Sequence, residues 1–251
     1  MKKITKVRID KLLVERGMVA TRERAQAMIL AGRVLVSEQK VNKCGAAVDS
    51  ESAIRLLGDE MRYVSRGGLK LERALVHWEI SVEGRTCMDV GASTGGFTDC
   101  LLQHGAAKVV AVDTGYGQID AKLRSDARVR LLEKTNARYL EASQVPETVT
   151  LVAMDVSFIS ATLVLPAVVA AIWSAPGGEK RELVLLVKPQ FEVGRQQVGK
   201  GGIVRDAEAQ QGAVDKIKAA VEALGGKGID VIDSPILGTE GNREFLLYAN
   251  F

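Results

Sequence analysis

Residues 87–97 read Cys87-Met88-Asp89-Val90-Gly91-Ala92-Ser93-Thr94-Gly95-Gly96-Phe97. Four residues suited to a buried strand run into a glycine-rich loop. Phe97, Cys100, Leu101 and Leu102 then fall at helical spacing up to Gly105. Working outward, Lys108–Val112 reads as the next strand and ends in Asp113. Further strands are expected near Val129–Leu132, Thr150–Met154, Leu183–Val187, Ile229–Ile232 and Phe245–Tyr248. Helices fill most gaps, the clearest from Asp206 to Leu224. This alternation implies an α/β fold, a mostly parallel sheet with helices on both faces.

In such sheets a ligand binds outside the carboxyl ends of the strands, near the topological switch point. Gly91, Gly95 and Gly96 let backbone approach that ligand closely. Asp113, one strand later, can accept both hydroxyls of an adenosine ribose. The loop is not G-x-G-x-x-G, which disfavours a dinucleotide.

Composition excludes other classes. A chain of 251 residues, 47% of them hydrophobic, can bury a substantial core and is not a disordered tail. Three cysteines without a C-x-x-C argue against a disulfide scaffold and a structural zinc site. The only histidines, His77 and His104, lie far apart, so no metal centre is expected. The start, Met1 to Lys6, lacks the apolar region of a signal peptide, and a cytoplasmic location is expected. Residues 156–178 carry no charged side chain. Ser157, Ser160, Thr162, Pro166, Ser174 and Pro176 interrupt that run, which reads as a strand exit and a buried helix, not a bilayer span.

Charge is unevenly spread. Residues 1–43 hold eleven Lys and Arg against four acids, whereas the remainder is mildly acidic. A basic unit joined to an acidic one is the footprint of a nucleic-acid partner. Arg8 to Arg16 reads as a helix with Ile9, Leu12 and Leu13 on one face and Gly17 ending it. Thr21 can cap a second helix, with Ala25, Met28, Ile29 and Leu30 buried and Gly32 as its stop. A strand at Arg33–Val36, a turn at Ser37-Glu38-Gln39 and a short strand around Val41 follow. The outer faces keep Arg22, Glu23, Arg24 and Arg33, with Lys11 and Lys43 nearby.

Arg8-Ile9-Asp10-Lys11-Leu12-Leu13, Thr21-Arg22 with Ala25, and Ala31-Gly32-Arg33-Val34-Leu35-Val36 resemble the αL RNA-binding module. That module is named after a ribosomal small-subunit protein, and the likeness covers about residues 6–55. It implies RNA contacts from Arg8, Lys11, Arg22, Arg24, Arg33 and Lys43. The module often has Asn-Gly at its hairpin turn. Ser37-Glu38 stands there instead, and a less tight turn is expected because Glu38 tolerates positive φ poorly.

Asp89 to Phe97 is similar to motif I of S-adenosylmethionine-dependent methyltransferases, closest to the FtsJ-like ribose 2′-O-methyltransferases. Val112–Gln118, Glu133–Arg138, Asp155–Ser160, Val187–Glu192 and Gly201–Asp206 extend the likeness to nearly the whole chain. The chain thus resembles the TlyA / hemolysin A family of rRNA cytidine 2′-O-methyltransferases. The resemblance implies a Rossmann-like methyltransferase fold behind a small N-terminal α+β RNA-binding domain. The expected division is residues 1–60 for RNA binding, 61–81 as linker and connecting helix, and 82–251 for methyl transfer.

A ribose 2′-hydroxyl is a poor nucleophile until its proton is drawn off. FtsJ-like enzymes use a Lys-Asp-Lys-Glu set, which Lys70, Asp155, Lys188 and Glu244 match. By that resemblance Lys188 is the base, Asp155 orients it and adjoins the methyl donor, Lys70 holds ribose or phosphate, and Glu244 hydrogen-bonds within the set. The cofactor, S-adenosylmethionine, is expected on Gly91, Ala92, Ser93, Thr94, Gly95, Gly96, Phe97, Asp113 and Asp155, with Asn136 near the adenine. Tyr116 either closes that site or packs. Rival readings are a non-catalytic ribosome-binding or assembly factor, a pore-forming haemolysin and a small-molecule methyltransferase. The intact loop and four-residue set disfavour the first, the prolines in the uncharged run the second, and the basic N-terminal unit the third. Some longer family members modify both ribosomal subunits. This chain stops just past its last strand, so large-subunit rRNA is the expected target.

Overall fold

The computed structural model describes residues 6–19, 21–57, 62–173, 180–238 and 241–251. The chain divides into two units, Met1–Arg62 and Tyr63–Phe251. The expected boundary at residue 60 falls outside the described residues.

In the first unit, β1 (Lys6–Arg8) leads into α1 (Ile9–Glu15), and α2 (Arg22–Leu30) follows. Ile9, Leu12 and Leu13 are buried, and Gly17 turns the chain at φ +66°. Thr21 caps α2 by accepting a 3.2 Å hydrogen bond from the Arg24 backbone N–H. Ala25 and Ile29 are buried as expected, but Leu30 is 70% exposed. One residue past Ile29 is a rotation of about 100°, which takes Leu30 off the packed face. Strands β2 (Val34–Val36), β3 (Gln39–Lys40), β4 (Ala47–Asp49) and β5 (Ile54–Leu56) complete the unit. The sheet order is β3-β2-β5, while β1 pairs separately with β4. The second hairpin strand thus precedes Val41. The hairpin turn is tight after all, with Ser37 at φ +48° and Glu38 at +64°. Arg55, on the neighbouring β5, donates to the Glu38 carboxylate at 3.1 Å and helps hold that conformation.

The second unit opens with α3 (Gly67–His77), which packs on α4 (Gly96–Gln103). Between them lies β6 (Thr86–Val90). Then come β7 (Lys108–Val112), α5 (Ala121–Arg124), β8 (Val129–Leu132), β9 (Leu151–Met154), α6 (Leu165–Trp173), β10 (Glu182–Val187), α7 (Pro189–Glu192), α8 (Ala207–Ala223), β11 (Lys227–Asp233) and β12 (Phe245–Asn250). The sheet order is β11-β12-β10-β9-β6-β7-β8. Five strands from β10 to β8 are parallel, and β12 runs antiparallel to both its neighbours.

Both faces of this sheet are covered, which explains its continuous apolar runs. Alternate residues feed two cores. Met88, Val90, Val152 and Met154 pack with Leu165 of α6 and Ile217 of α8. Cys87, Leu151 and Ala153 pack with Leu71 of α3 and Leu101 of α4. Burial pushes the Cys87 thiol up to about 12, so it stays a neutral core filler. The uncharged run contributes α6, and its residues 174–178 lie outside the described residues. Among the described residues no helix is long and apolar enough to cross a membrane.

Candidate active site

The chain order β6, β7, β8 builds the sheet one way, and β9, β10, β12 build it the other. The reversal opens a crevice at the carboxyl ends of β6 and β9. Gly91 leaves β6 at φ +88°, and a Cβ there would run into the backbone carbonyl of Asp155 at the end of β9. Only glycine lets these two loops meet so closely.

Two clefts share Gly91, Ser93 and Asp155. One, of about 310 Å³, is lined by Asp113, Asn136, Ser157 and Phe158 among others. Asp113 accepts from the backbone N–H of Ser93 at 2.8 Å and of Gly115 at 2.6 Å. Those bonds fix its carboxylate against the glycine loop with lone pairs still open to the cleft. Asn136 accepts from the Arg138 backbone N–H at 3.1 Å and so shapes the wall it stands on. A cleft with a fixed carboxylate, a glycine floor and apolar Val90, Ala137 and Ile159 suits a nucleoside. Tyr116 is 71% exposed and lies beneath the Lys134 ammonium at 4.6 Å.

The other cleft is lined by Lys70, Lys188, Glu244 and Arg66, with Ala92, Thr94, Gly96 and Phe97. The structure therefore brings together all four residues of the expected set. Lys70, on α3, donates to Glu244 at 2.5 Å, with only 10% and 3% of the two side chains exposed. Lys188 Nζ lies 2.5 Å from Asp155 Oδ1, an ionic contact outside hydrogen-bond geometry. It donates instead to Ser157 Oγ at 2.7 Å. Gly95 lines neither cleft. Its φ of +95° starts α4, and a Cβ there would strike Leu123.

Asp89 stands beneath the loop, fully buried. Its Oδ2 accepts from the Thr98 N–H at 2.9 Å and hydroxyl at 2.6 Å, while Oδ1 has no hydrogen-bond partner among the described residues. Burial, reinforced by the Asp155 and Asp113 charges, raises its carboxyl to about 7 against the opposing Thr98 bonds.

Some parts have no counterpart in the sequence reading. The sequence reading gives Ser157 no part in the site, yet its hydroxyl accepts from Lys188. Glu192 is buried and accepts from Ser160 Oγ at 2.5 Å and Ala161 N–H at 2.7 Å, tying the loop after β9 to α7. Asp99 accepts from the Val64 N–H at 2.8 Å, which fixes the segment leading to Ser65 and Arg66. A lone carboxylate in a core-facing helix was the available signal for Asp99.

The predicted RNA contacts lie on the first unit. Lys11, Arg33 and Lys43 are exposed and Arg24 is half-buried. Arg8 and Arg22 are about half exposed and both bind the buried Asp10.

Comparison with known proteins adds independent support. The FtsJ-like methyltransferase family model matches residues 63–251, and the S4 domain model matches residues 7–54. The 16S/23S rRNA (cytidine-2′-O)-methyltransferase TlyA of Mycobacterium tuberculosis is 43% identical, over 97% of this chain and 89% of the relative. Hemolysin A of Brachyspira hyodysenteriae is 39% identical, over 96% of this chain and 99% of the relative. A solved structure from Streptococcus thermophilus, described as a candidate hemolysin, superposes with a TM-score of 0.73 at 43% identity. It covers 99% of this chain and 89% of its own.

Proposed function

This chain belongs to the FtsJ-like methyltransferase family and carries an S4 domain, and on that ground we propose that it methylates ribosomal RNA. The methyl donor is S-adenosylmethionine and the acceptor is the ribose 2′-hydroxyl of a cytidine, with large-subunit rRNA as the expected target. The observation that carries this reading is Lys188 Nζ at 2.5 Å from Asp155 Oδ1, in a cleft that shares Gly91, Ser93 and Asp155 with the Asp113 pocket.

Asp113 would receive the ribose hydroxyls of the donor, and the loop from Gly91 to Phe97 with Asn136 would enclose the rest. When bound, S-adenosylmethionine supplies an electrophilic methyl group on a sulfonium. Lys188 takes the proton of the RNA 2′-hydroxyl onto Nζ as that oxygen attacks. Asp155 and Ser157 hold Nζ in place and balance the charge it gains. Lys70, kept by Glu244, steadies the target ribose or its phosphate. The exposed cations of the first unit capture RNA backbone.

The test is incubation with labelled methyl donor and unmodified small and large ribosomal subunits, followed by mapping of the label. A ribose methyl on a large-subunit cytidine is the expected result. Label on the small subunit alone overturns the substrate and leaves the chemistry standing, while no label on either overturns the reading.

A further inference from the structure

Asp10 is fully buried in the first unit although its two arginine partners are not. Arg8 donates from Nε to Oδ1 at 3.0 Å and from Nη2 to Oδ2 at 2.9 Å, a bidentate fork. Arg22 donates from Nε to the same Oδ2 at 2.9 Å, and Gln26 Nε2 joins it at 3.0 Å. The carboxylate is thereby saturated with donors. Arg8, above all, holds it well below the usual carboxylate range. Because the two guanidinium groups share one oxygen, they sit side by side.

One acid faces two permanent cations, so the cluster keeps a net positive charge. The Arg8 and Arg22 side chains remain 47% and 44% exposed. Asp10 occupies Nε and Nη2 of Arg8 and only Nε of Arg22. Arg8 Nη1 and both amino groups of Arg22 make no bond to it. The Arg8 guanidinium also lies over Gly45, where a Cβ would already touch its carbon at 3.5 Å.

We propose that Asp10 is a positioning residue that holds Arg8 and Arg22 as a two-guanidinium clamp for a single RNA phosphate. The proposal rests on the reading that this unit binds RNA. Planar guanidinium groups match phosphate oxygens in pairs, which an ammonium does not. A long side chain loses freedom when it binds, and one already fixed by a buried acid loses less. Bulk charge makes the opposite prediction, since removing an acid from a cationic surface strengthens its attraction for phosphate.

That opposition of sign supplies the test. Binding of full-length variants to unmodified large ribosomal subunits is measured at one fixed salt concentration, with circular dichroism confirming the fold. Asp10→Asn is expected to bind about tenfold more weakly despite its added positive charge. Equal or tighter binding by the folded variant overturns the clamp. Should burial of the amide unfold the unit, Arg22→Lys decides instead, because it keeps the charge and loses the planar guanidinium held at Asp10. Severalfold weaker binding supports the clamp, and parental affinity overturns it. An Arg8→Ala/Arg22→Ala double variant separates the two levels of the argument. If it binds like the parent, the RNA role of these arginines fails and the clamp fails with it. If it binds weakly while Asp10→Asn and Arg22→Lys bind like the parent, the clamp alone fails.

Discussion

The Asp10 cluster of the first unit and the lysine-lined cleft of the second pair cations with acids in opposite ways. Around Asp10 the acid is buried and the arginines reach solvent. In the cleft of the second unit the cations go inside as well, with Lys70 and Lys188 each 10% exposed. An exposed arginine keeps its charge at every relevant pH and suits phosphate capture. A lysine presents a compact ammonium on a flexible stem, which suits a single fixed contact inside a cleft. At these two sites residue type follows the same division, arginine around Asp10 and lysine beside Glu244 and Asp155.

The largest consequence concerns stability. Lys70→Ala leaves Glu244 buried without its cation, and removing one partner of a buried pair costs about 3–5 kcal/mol. Calorimetric unfolding checks this. Arg33→Ala, in the exposed set, should shift the transition far less, and equal losses would break the contrast.

Next comes the cofactor. Asp113→Ala should weaken S-adenosylmethionine binding by about 1–3 kcal/mol, the scale for losing hydrogen bonds to a charged group. Unchanged affinity by titration calorimetry would remove Asp113 from the site. The same variant should leave RNA affinity intact, since the exposed cations are untouched.

Neutralising Arg22, Arg24 and Arg33 together should weaken RNA binding and flatten its dependence on salt. Each lost phosphate contact lowers the log–log slope by about 0.7–0.9. A parental slope would assign RNA capture elsewhere.

A separate check is pH dependence. An ordinary aspartate loses its proton near pH 4, whereas buried Asp89 keeps its own to about 7. Between those values the native state binds more protons than the unfolded chain. The contribution of Asp89 to stability therefore falls as pH rises from about 4 to about 7. Asp89→Asn should flatten stability across that window, as followed by chemical unfolding at several pH values.

The central strands β6, β7 and β9 were legible because both their faces are buried, so they read as apolar runs ended by Gly91, Asp113 and Asp155. The four-residue set was legible through its likeness to the FtsJ-like pattern: Asp155, Lys188 and Glu244 flank β9, β10 and β12, whereas Lys70 lies inside α3 and nothing in its local sequence marks it. The short strands β1, β4 and β5 were not, because three half-exposed residues carry no periodicity. The tight turn at Ser37-Glu38 was missed because its support comes from Arg55, seventeen residues away. Ser157 and Glu192 were missed for a similar reason. Their partners lie on other elements, and nothing local distinguishes them from an ordinary loop serine and helix glutamate.

The central claim is that Lys188, drawn inside and held by Asp155 and Ser157, removes the proton from an RNA 2′-hydroxyl. Single-turnover methyl transfer by Lys188→Ala on unmodified large subunits, with donor binding measured in parallel, tests it most directly. The account predicts a rate lower by about 10²–10⁴ with donor affinity near the parental value. Transfer at the parental rate would contradict it.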